Sequence, residues 1–374
     1  MMRDISYLCI SDIHLGHKSN KTEYIVDNLH SYFQEYDKLI SKVDIIFIAG
    51  DIFDTLLSNN SYDYLLATSW LTELITYCQL NKIKLRILEG TPSHDWHQAK
   101  LISTIVDKLK IDIDYRYITT LYIEDMKDLG IYILYIPDEY KPKAKDTYQD
   151  VISLMGEHGI PMVDIAIMHG QFNYQLPMVK LESSHNEDDY LKLVRYYINI
   201  GHIHVGSIYN RIIANGSFDR LAHGEEGDKG AIICYLHPDG SMSFKFLINK
   251  NAMVYKSLDY SKENNVDKIL KHIDKDVKNL KENSQIRLIL NSSVMLSSSI
   301  KTLKDKYPYL NFKILTEDGS NKLKLGDQIL EEQKIESFSI TKDNIKELLY
   351  NELKIMDLSK NELDIIEEEL SKVI

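Results

Sequence analysis

Short apolar runs alternating with longer amphipathic stretches constrain this chain more than any other feature. Residues 5–10, 43–49, 83–88, 119–123, 131–136 and 162–168 read as strands, and residues 22–41, 61–81 and 97–109 carry helical spacing. A β-α-β order of this kind predicts a largely parallel sheet covered on both faces. After Tyr197 the rhythm shortens to strands at 198–200, 205–213, 230–236 and 243–248, joined by Gly, Asn and Asp turns. These predict a second sheet packed on the first. The expected class is α/β: a two-sheet sandwich flanked by helices, plus a small α+β domain and a C-terminal helical tail.

Four segments follow from the same reading. Residues 1–250 form the main domain and 251–316 a β-α-β-α-β domain. Residues 317–340, rich in Gly, Ser, Asn and Lys, form a linker, and 341–374 a helical region. A chain of 374 residues, 44% hydrophobic and 27% charged, has ample material for a sizeable core. No apolar run approaches a membrane span, and no cationic and apolar signal segment opens the sequence. Cys9, Cys78 and Cys234 are odd in number and widely spaced, mostly inside apolar runs. Buried thiols in a reducing cytoplasm are therefore expected, not a disulfide frame. A net charge of −12 argues against gripping nucleic acid by bulk electrostatics, though not against a local basic groove.

Chemistry gathers where the strand-like runs end. The run 5–10 leads into Ser11-Asp12-Ile13-His14, and 43–49 into Gly50-Asp51-Ile52-Phe53-Asp54. The run 162–168 leads into His169-Gly170-Gln171, and 198–200 into Gly201-His202-Ile203-His204. A lone loop histidine is usually solvated. Four of the chain's 13 histidines at strand tips, in step with Asp12 and Asp51, are harder to dismiss. The carboxyl ends of strands are where α/β active sites collect. Mixed carboxylate and imidazole donors suit manganese, iron or zinc. Six such donors exceed the needs of one ion that keeps a position open, and two ions about 3.5–4 Å apart would use them all, with Asp51 as the natural bridge.

In order and spacing these motifs resemble those of the calcineurin-like metallophosphoesterases: D-x-H, G-D-x-x-D, G-N-H-D/E, a lone His, and G-H-x-H. The resemblance implies that Asp12, His14, Asp51 and His204 hold one metal and that Asp51, His169 and His202 hold the other. It also implies that His94 is the general acid protonating the leaving oxygen, its ring oriented by Asp95 or a backbone group. The third motif departs from the family, because Glu89-Gly90-Thr91-Pro92-Ser93-His94-Asp95 carries extra residues before His94. Counting back from His94 puts Ser93 in place of the Asn ligand.

The stretch Ala214-Asn215-Gly216-Ser217-Phe218-Asp219-Arg220, followed by Gly224-Glu225 and Lys229-Gly230-Ala231, resembles the segment after the last His motif in SbcD-type DNA nucleases. That resemblance implies a phage or bacterial repair and recombination nuclease with two divalent ions, most simply Mn²⁺. It would act as an exonuclease on duplex ends and an endonuclease on single strands. It further implies a homodimer and an SbcC-like ATPase docked on the C-terminal helices. Those helices are expected from Thr341 and Ser359 as N-caps and from apolar residues recurring at helical spacing after each. Arg220, Phe172 and Tyr174 are candidate substrate contacts, with Lys180, Lys192 and Arg195 nearby. The competing readings are a small-molecule or nucleotide phosphodiesterase and a scaffold that has lost one metal position.

Overall fold

The computed structural model describes residues 3–176, 181–291 and 297–316. The expected linker over 317–340, the expected helices over 341–374, and Lys180 lie outside them.

The first sheet contains β1 (Ile5–Ile10), β2 (Ile45–Ala49), β3 (Lys84–Leu88) and β4 (Tyr115–Ile118), all parallel. Antiparallel β11 (Gly230–Leu236) and β12 (Met242–Ile248) extend it beyond β1, giving the order β12-β11-β1-β2-β3-β4. The second sheet has the order β5-β6-β7-β8-β10-β9. Its strands are β5 (Tyr122–Met126), β6 (Ile131–Ile136), β7 (Ile165–Gly170), β8 (Ile198–His202), β9 (Ser207–Tyr209) and β10 (Ile212–Ala214). Helices α1 (Thr22–Glu35), α3 (Tyr62–Asn81) and α5 (Leu101–Leu109) pack their apolar residues on the first sheet. Apolar residues of α6 (Ala144–Glu157) and α7 (Glu187–Leu193) cover the second. Two short helices, α2 (Asp37–Ile40) and α4 (Pro92–Asp95), complete this region.

Side-chain alternation explains the layering. On β1, Ile5, Tyr7 and Cys9 face the seam between the sheets, while Leu8 and Ile10 face the helices. On β6, Ile131, Ile133 and Tyr135 face the same seam from the other side, while Leu134 and Ile136 meet α6 and α7. Both faces of each central strand are therefore buried, which is why the runs are continuously apolar.

The two-sheet sandwich is as expected, but its strands divide differently. Residues 131–136 and 162–168 were expected in the first sheet and belong to the second, whereas 230–236 and 243–248 return to the first. A strand buried under a helix and one buried under a sheet carry the same apolar pattern, so periodicity cannot assign the partner. The expected 205–213 strand is split by a turn at Asn210, which has positive φ.

A third sheet, β13-β14-β15, is parallel and built from β13 (Tyr255–Tyr260), β14 (Gln285–Leu290) and β15 (Asn311–Thr316). It alternates with α8 (Val266–Val277) and α9 (Ser297–Lys306). Asn265 caps α8 by accepting from Lys268 N at 3.0 Å, and Ile269, Ile273 and Val277 form its buried stripe.

Candidate metal centre

The expected ligands converge because the tips of β1, β2, β7 and β8 lie side by side. Beyond β1, Asp12 N donates to Gly50 O at 3.1 Å and His14 N to Asp51 O at 3.1 Å, so the two tips stay paired. Asp12, His14, Asp51 and His202 all have positive φ, at 52°, 56°, 52° and 94°. Non-glycine residues rarely adopt that region, and such strain concentrates at functional sites. Gly50 and Gly90 make the close approach possible. A Cβ on Gly50 would lie 2.1 Å from His169 Nδ1, and one on Gly90 would lie 2.2 Å from Asp51 Oδ1.

Among the described residues, three groups of donors can each surround an ion: Asp12, His14 and His204; His14, Asp51 and His94; and Asp51, His169 and His202. Asp51 belongs to two of them. Its Oδ2 lies 3.7 Å from His14 Nε2, and its Oδ1 lies 3.3 Å from His169 Nε2. Although burial opposes it, the surrounding His169, His94 and His14 hold the Asp51 carboxyl far below the usual range.

The donor chemistry fits cations. His14 and His204 point Nε2 atoms at each other across 3.1 Å, while their Nδ1 atoms meet Asp54 at 3.0 Å and Glu225 at 2.9 Å. Carboxylates on Nδ1 fix the tautomer that leaves a lone pair on Nε2. Two facing lone pairs repel unless a proton or a metal lies between them. Asp12 Oδ2 is buried without a hydrogen-bond partner in the same place. His169 donates Nδ1–H to Ala49 O at 2.7 Å, which again leaves Nε2 facing inward. His202 instead turns Nδ1 toward the cluster, 3.3 Å from Thr91 Oγ1.

His94 is half-buried beside both groups, with Nδ1 3.0 Å from Asp51 Oδ2. The bond to Asp51 raises its pKa, outweighing burial. Asp95 does not touch the ring. It is fully buried and accepts from the backbone N–H groups of Asp51 at 3.1 Å, Phe53 at 3.0 Å and Gly90 at 2.8 Å. Asp51 is the carboxylate that orients His94, and Asp95 shapes the loops around it. Burial, with Asp51 nearby, pushes the Asp95 carboxyl up to about 7.

Ser93 is exposed on α4, with its carbonyl accepting from Trp96 Nε1 at 2.7 Å. The position expected for Ser93 is filled by Thr91. Its hydroxyl lies 3.2 Å from Asp51 Oδ2, 3.5 Å from His169 Nε2 and 3.3 Å from His202 Nδ1. The two extra residues of the motif thus fall between Thr91 and His94, not before both. Asp138, absent from the sequence reading, comes within 3.1 Å of Thr91 Oγ1 and 3.6 Å of His202 Nδ1. Its signal was present, since it follows the apolar run 131–136 as Asp51 follows 43–49.

The candidate substrate contacts are placed elsewhere. Phe172 is fully buried between Tyr174, Tyr190 and His185, so it is a core residue. Arg220 donates to the carbonyls of Gly227 at 3.1 Å and Met253 at 3.0 Å, tying the sandwich to the segment that enters β13. Tyr174 is half-buried and stacked on Tyr209 at 5.0 Å. Arg195 pairs with Asp164 at 3.1 Å, and Lys192 lies 4.0 Å from Asp189. The stretch after the last His motif instead frames His204: Glu225 binds His204, and Lys229 donates to Glu225 at 2.9 Å and to His204 O at 2.7 Å.

Sandwich and paired donor groups together make an α/β architecture whose strand tips carry clusters suited to divalent cations. No family model matches the sequence, and no curated protein matches it. Two solved crystal structures are similar to the chain. One is 12% identical with a TM-score of 0.40, covering 65% of this chain and 99% of its own. The other, TT1561 of Thermus thermophilus, is 11% identical with a TM-score of 0.36, covering 66% and 100%. No described helix is long and apolar enough to cross a membrane.

Proposed function

We propose that this chain is a dinuclear phosphodiesterase that cleaves DNA in repair or recombination, with Mn²⁺ as its metal. The observation that carries the phosphodiesterase reading is the convergence on Asp51, which meets donors of both positions and the half-buried His94. Asp12, His14 and His204 would hold one ion and His169 and His202 the other, with Asp51 shared. When bound, two such cations supply an activated water at neutral pH and offset charge on the phosphoryl oxygens. The protein's own part is positioning and proton transfer. Asp51 engages His94 Nδ1, so Nε2 is the atom that gives a proton to the departing oxygen. Asp54 and Glu225 keep the His14 and His204 rings in register.

The DNA reading is supported by the likeness of the 214–231 stretch to SbcD-type nucleases, and by Glu225 and Lys229 of that stretch bracing His204. In this reading the chain works as a homodimer, and an SbcC-like ATPase docks on residues 341–374. The deciding experiment incubates the full chain with Mn²⁺ and labelled duplex or single-stranded DNA, alongside a chromogenic phosphodiester. Cleavage of DNA is expected. Turnover of the chromogen with no cleavage of either DNA would move the assignment to a small-molecule phosphodiesterase. Turnover of neither would remove the enzymatic reading. Deletion from Thr341 onward should abolish co-elution with the ATPase while leaving single-strand cleavage intact.

A further inference from the structure

We propose that Thr91 and Asp138 complete the second metal position, so that a hydroxyl and a carboxylate do there what one neutral side chain would otherwise do. This inference rests on the dinuclear reading above and concerns only how its second ion is held.

The geometry supports it in three ways. The Thr91 hydroxyl stands 3.1–3.5 Å from four separate donors: Asp51 Oδ2, Asp138 Oδ2, His169 Nε2 and His202 Nδ1. Adjacent ligands of a six-coordinate ion with bonds of about 2.1 Å lie roughly 3 Å apart, so these spacings match the edges of such a shell. A threonine hydroxyl also carries one proton. It can be donated to only one of the two carboxylate oxygens, Asp51 Oδ2 or Asp138 Oδ2, and the other is left facing the lone pairs of the hydroxyl at close range. A cation relieves that crowding, and no other described cationic side chain is hydrogen-bonded or ion-paired to this Asp138 oxygen. Finally, the two Asp138 oxygens have separate tasks. Oδ1 accepts from Glu139 N at 2.9 Å, which anchors the side chain, while Oδ2 is the atom presented to Thr91 and His202.

Placement agrees with this assignment. Asp138 follows β6 as His169 and His202 close β7 and β8, so adjacent strand ends of one sheet contribute all three. Thr91 comes from the opposite sheet, immediately after β3, and its N–H fixes Asp51 Oδ1 at 2.6 Å. The added carboxylate gives the second position a net charge one unit more negative than a neutral ligand would. That favours harder divalent ions such as Mn²⁺ and strengthens their hold.

The test is a Mn²⁺ titration of the full chain, reading free ion by electron paramagnetic resonance, with melting of the metal-free proteins as a control for folding. The unaltered chain is expected to bind two ions. Asp138→Ala should bind the first with unchanged affinity and the second at least about tenfold more weakly. Asp138→Asn keeps the shape, removes the charge and should fall between the two, so it serves if the alanine variant does not fold. Thr91→Val should also weaken the second ion, and Glu139→Ala should weaken neither. Two ions bound by Asp138→Ala and Asp138→Asn as tightly as by the unaltered chain would overturn the assignment of Asp138. Fewer than two ions in the unaltered chain would instead overturn the dinuclear reading itself.

Discussion

At the scale of single residues, His94 has the most direct consequence. It is half-buried and contacts Asp51 beside His14, and in the proposed role it moves a proton and does not hold an ion, so its removal should separate proton transfer from metal binding. His94→Gln is expected to slow DNA cleavage by about 10²–10⁴-fold while two Mn²⁺ remain bound. A nitrophenyl ester, whose leaving group needs no proton, should lose much less. Rates for both substrates and a metal count check this. Asp219 gives a second prediction. Burial raises its carboxyl to about 6 from an ordinary 3.8, against bonds from Met253 N, Arg220 N and Asn28 Nδ2. An acid with a raised folded pKa binds more protons folded than unfolded, so its stability is full below about 4 and is lost as pH rises to about 6. Asn28 Oδ1 has no partner, so a flipped Asn28 amide can accept from an amide at 219. Asp219→Asn should therefore gain roughly 1–3 kcal/mol above pH 6 and lose that pH slope, as melting at pH 4 and 7 will show. Asp12, His14, Asp51, His169, His202 and His204 were legible because each ends an apolar run. Thr91 was not, because a sequence register counted from His94 cannot tell on which side of the ligand two residues were inserted.

At the scale of elements, a buried charged pair fastens the seam between the sheets. Arg86 of β3 is buried and grips Glu124 of β5 with two N–H groups, Nε at 2.9 Å and Nη2 at 2.8 Å, and Tyr135 adds its hydroxyl at 2.8 Å. Arg86 Nη2 also meets the half-exposed Asp114 at 2.8 Å, so removing Glu124 strips the guanidinium of its buried partner but not of all compensation. Glu124→Ala should cost about 1.5–3 kcal/mol, because Asp114 still faces Arg86, while the pair Arg86→Met with Glu124→Leu should recover most of it. Urea unfolding of both variants decides this. A double variant as unstable as the single would mean that the pair supplies packing that apolar groups cannot. Most strands were legible from their apolar runs, but β4 was not, and the expected 119–123 strand holds the turn between β4 and β5 with only the first two residues of β5. The distribution of strands between sheets was not legible, since pairing partners such as β11 and β1 lie more than 200 residues apart and leave no local signal. The helix α6 was also missed, its four buried residues being diluted by a polar face.

At the scale of the whole molecule, the donors come from both halves of the sandwich. Asp12, Asp51, Thr91 and His94 follow strands of the first sheet, whereas Asp138, His169, His202 and His204 follow or end strands of the second. Binding at the shared Asp51 therefore stabilises the folded state by linkage, in proportion to how far the free metal exceeds its dissociation constant. A chelator should lower the melting temperature and raise hydrogen exchange at the tips of β2, β7 and β8 more than at α8. Equal exchange in both forms would show that the seam holds without metal.

The left-handed backbone at Asp12, His14, Asp51 and His202 has a consequence for how such a chain can change over time. A β-branched or bulky replacement at those positions must abandon the turn as well as the ligand, which narrows the acceptable exchanges to residues such as Asn, Asp, His and Gly. Thr91 and Asp138 have no positive φ, and the chain is free to exchange them. Drift in metal preference would therefore run through Thr91 and Asp138, with Asp12, His14, Asp51 and His202 held by the shape of their turns.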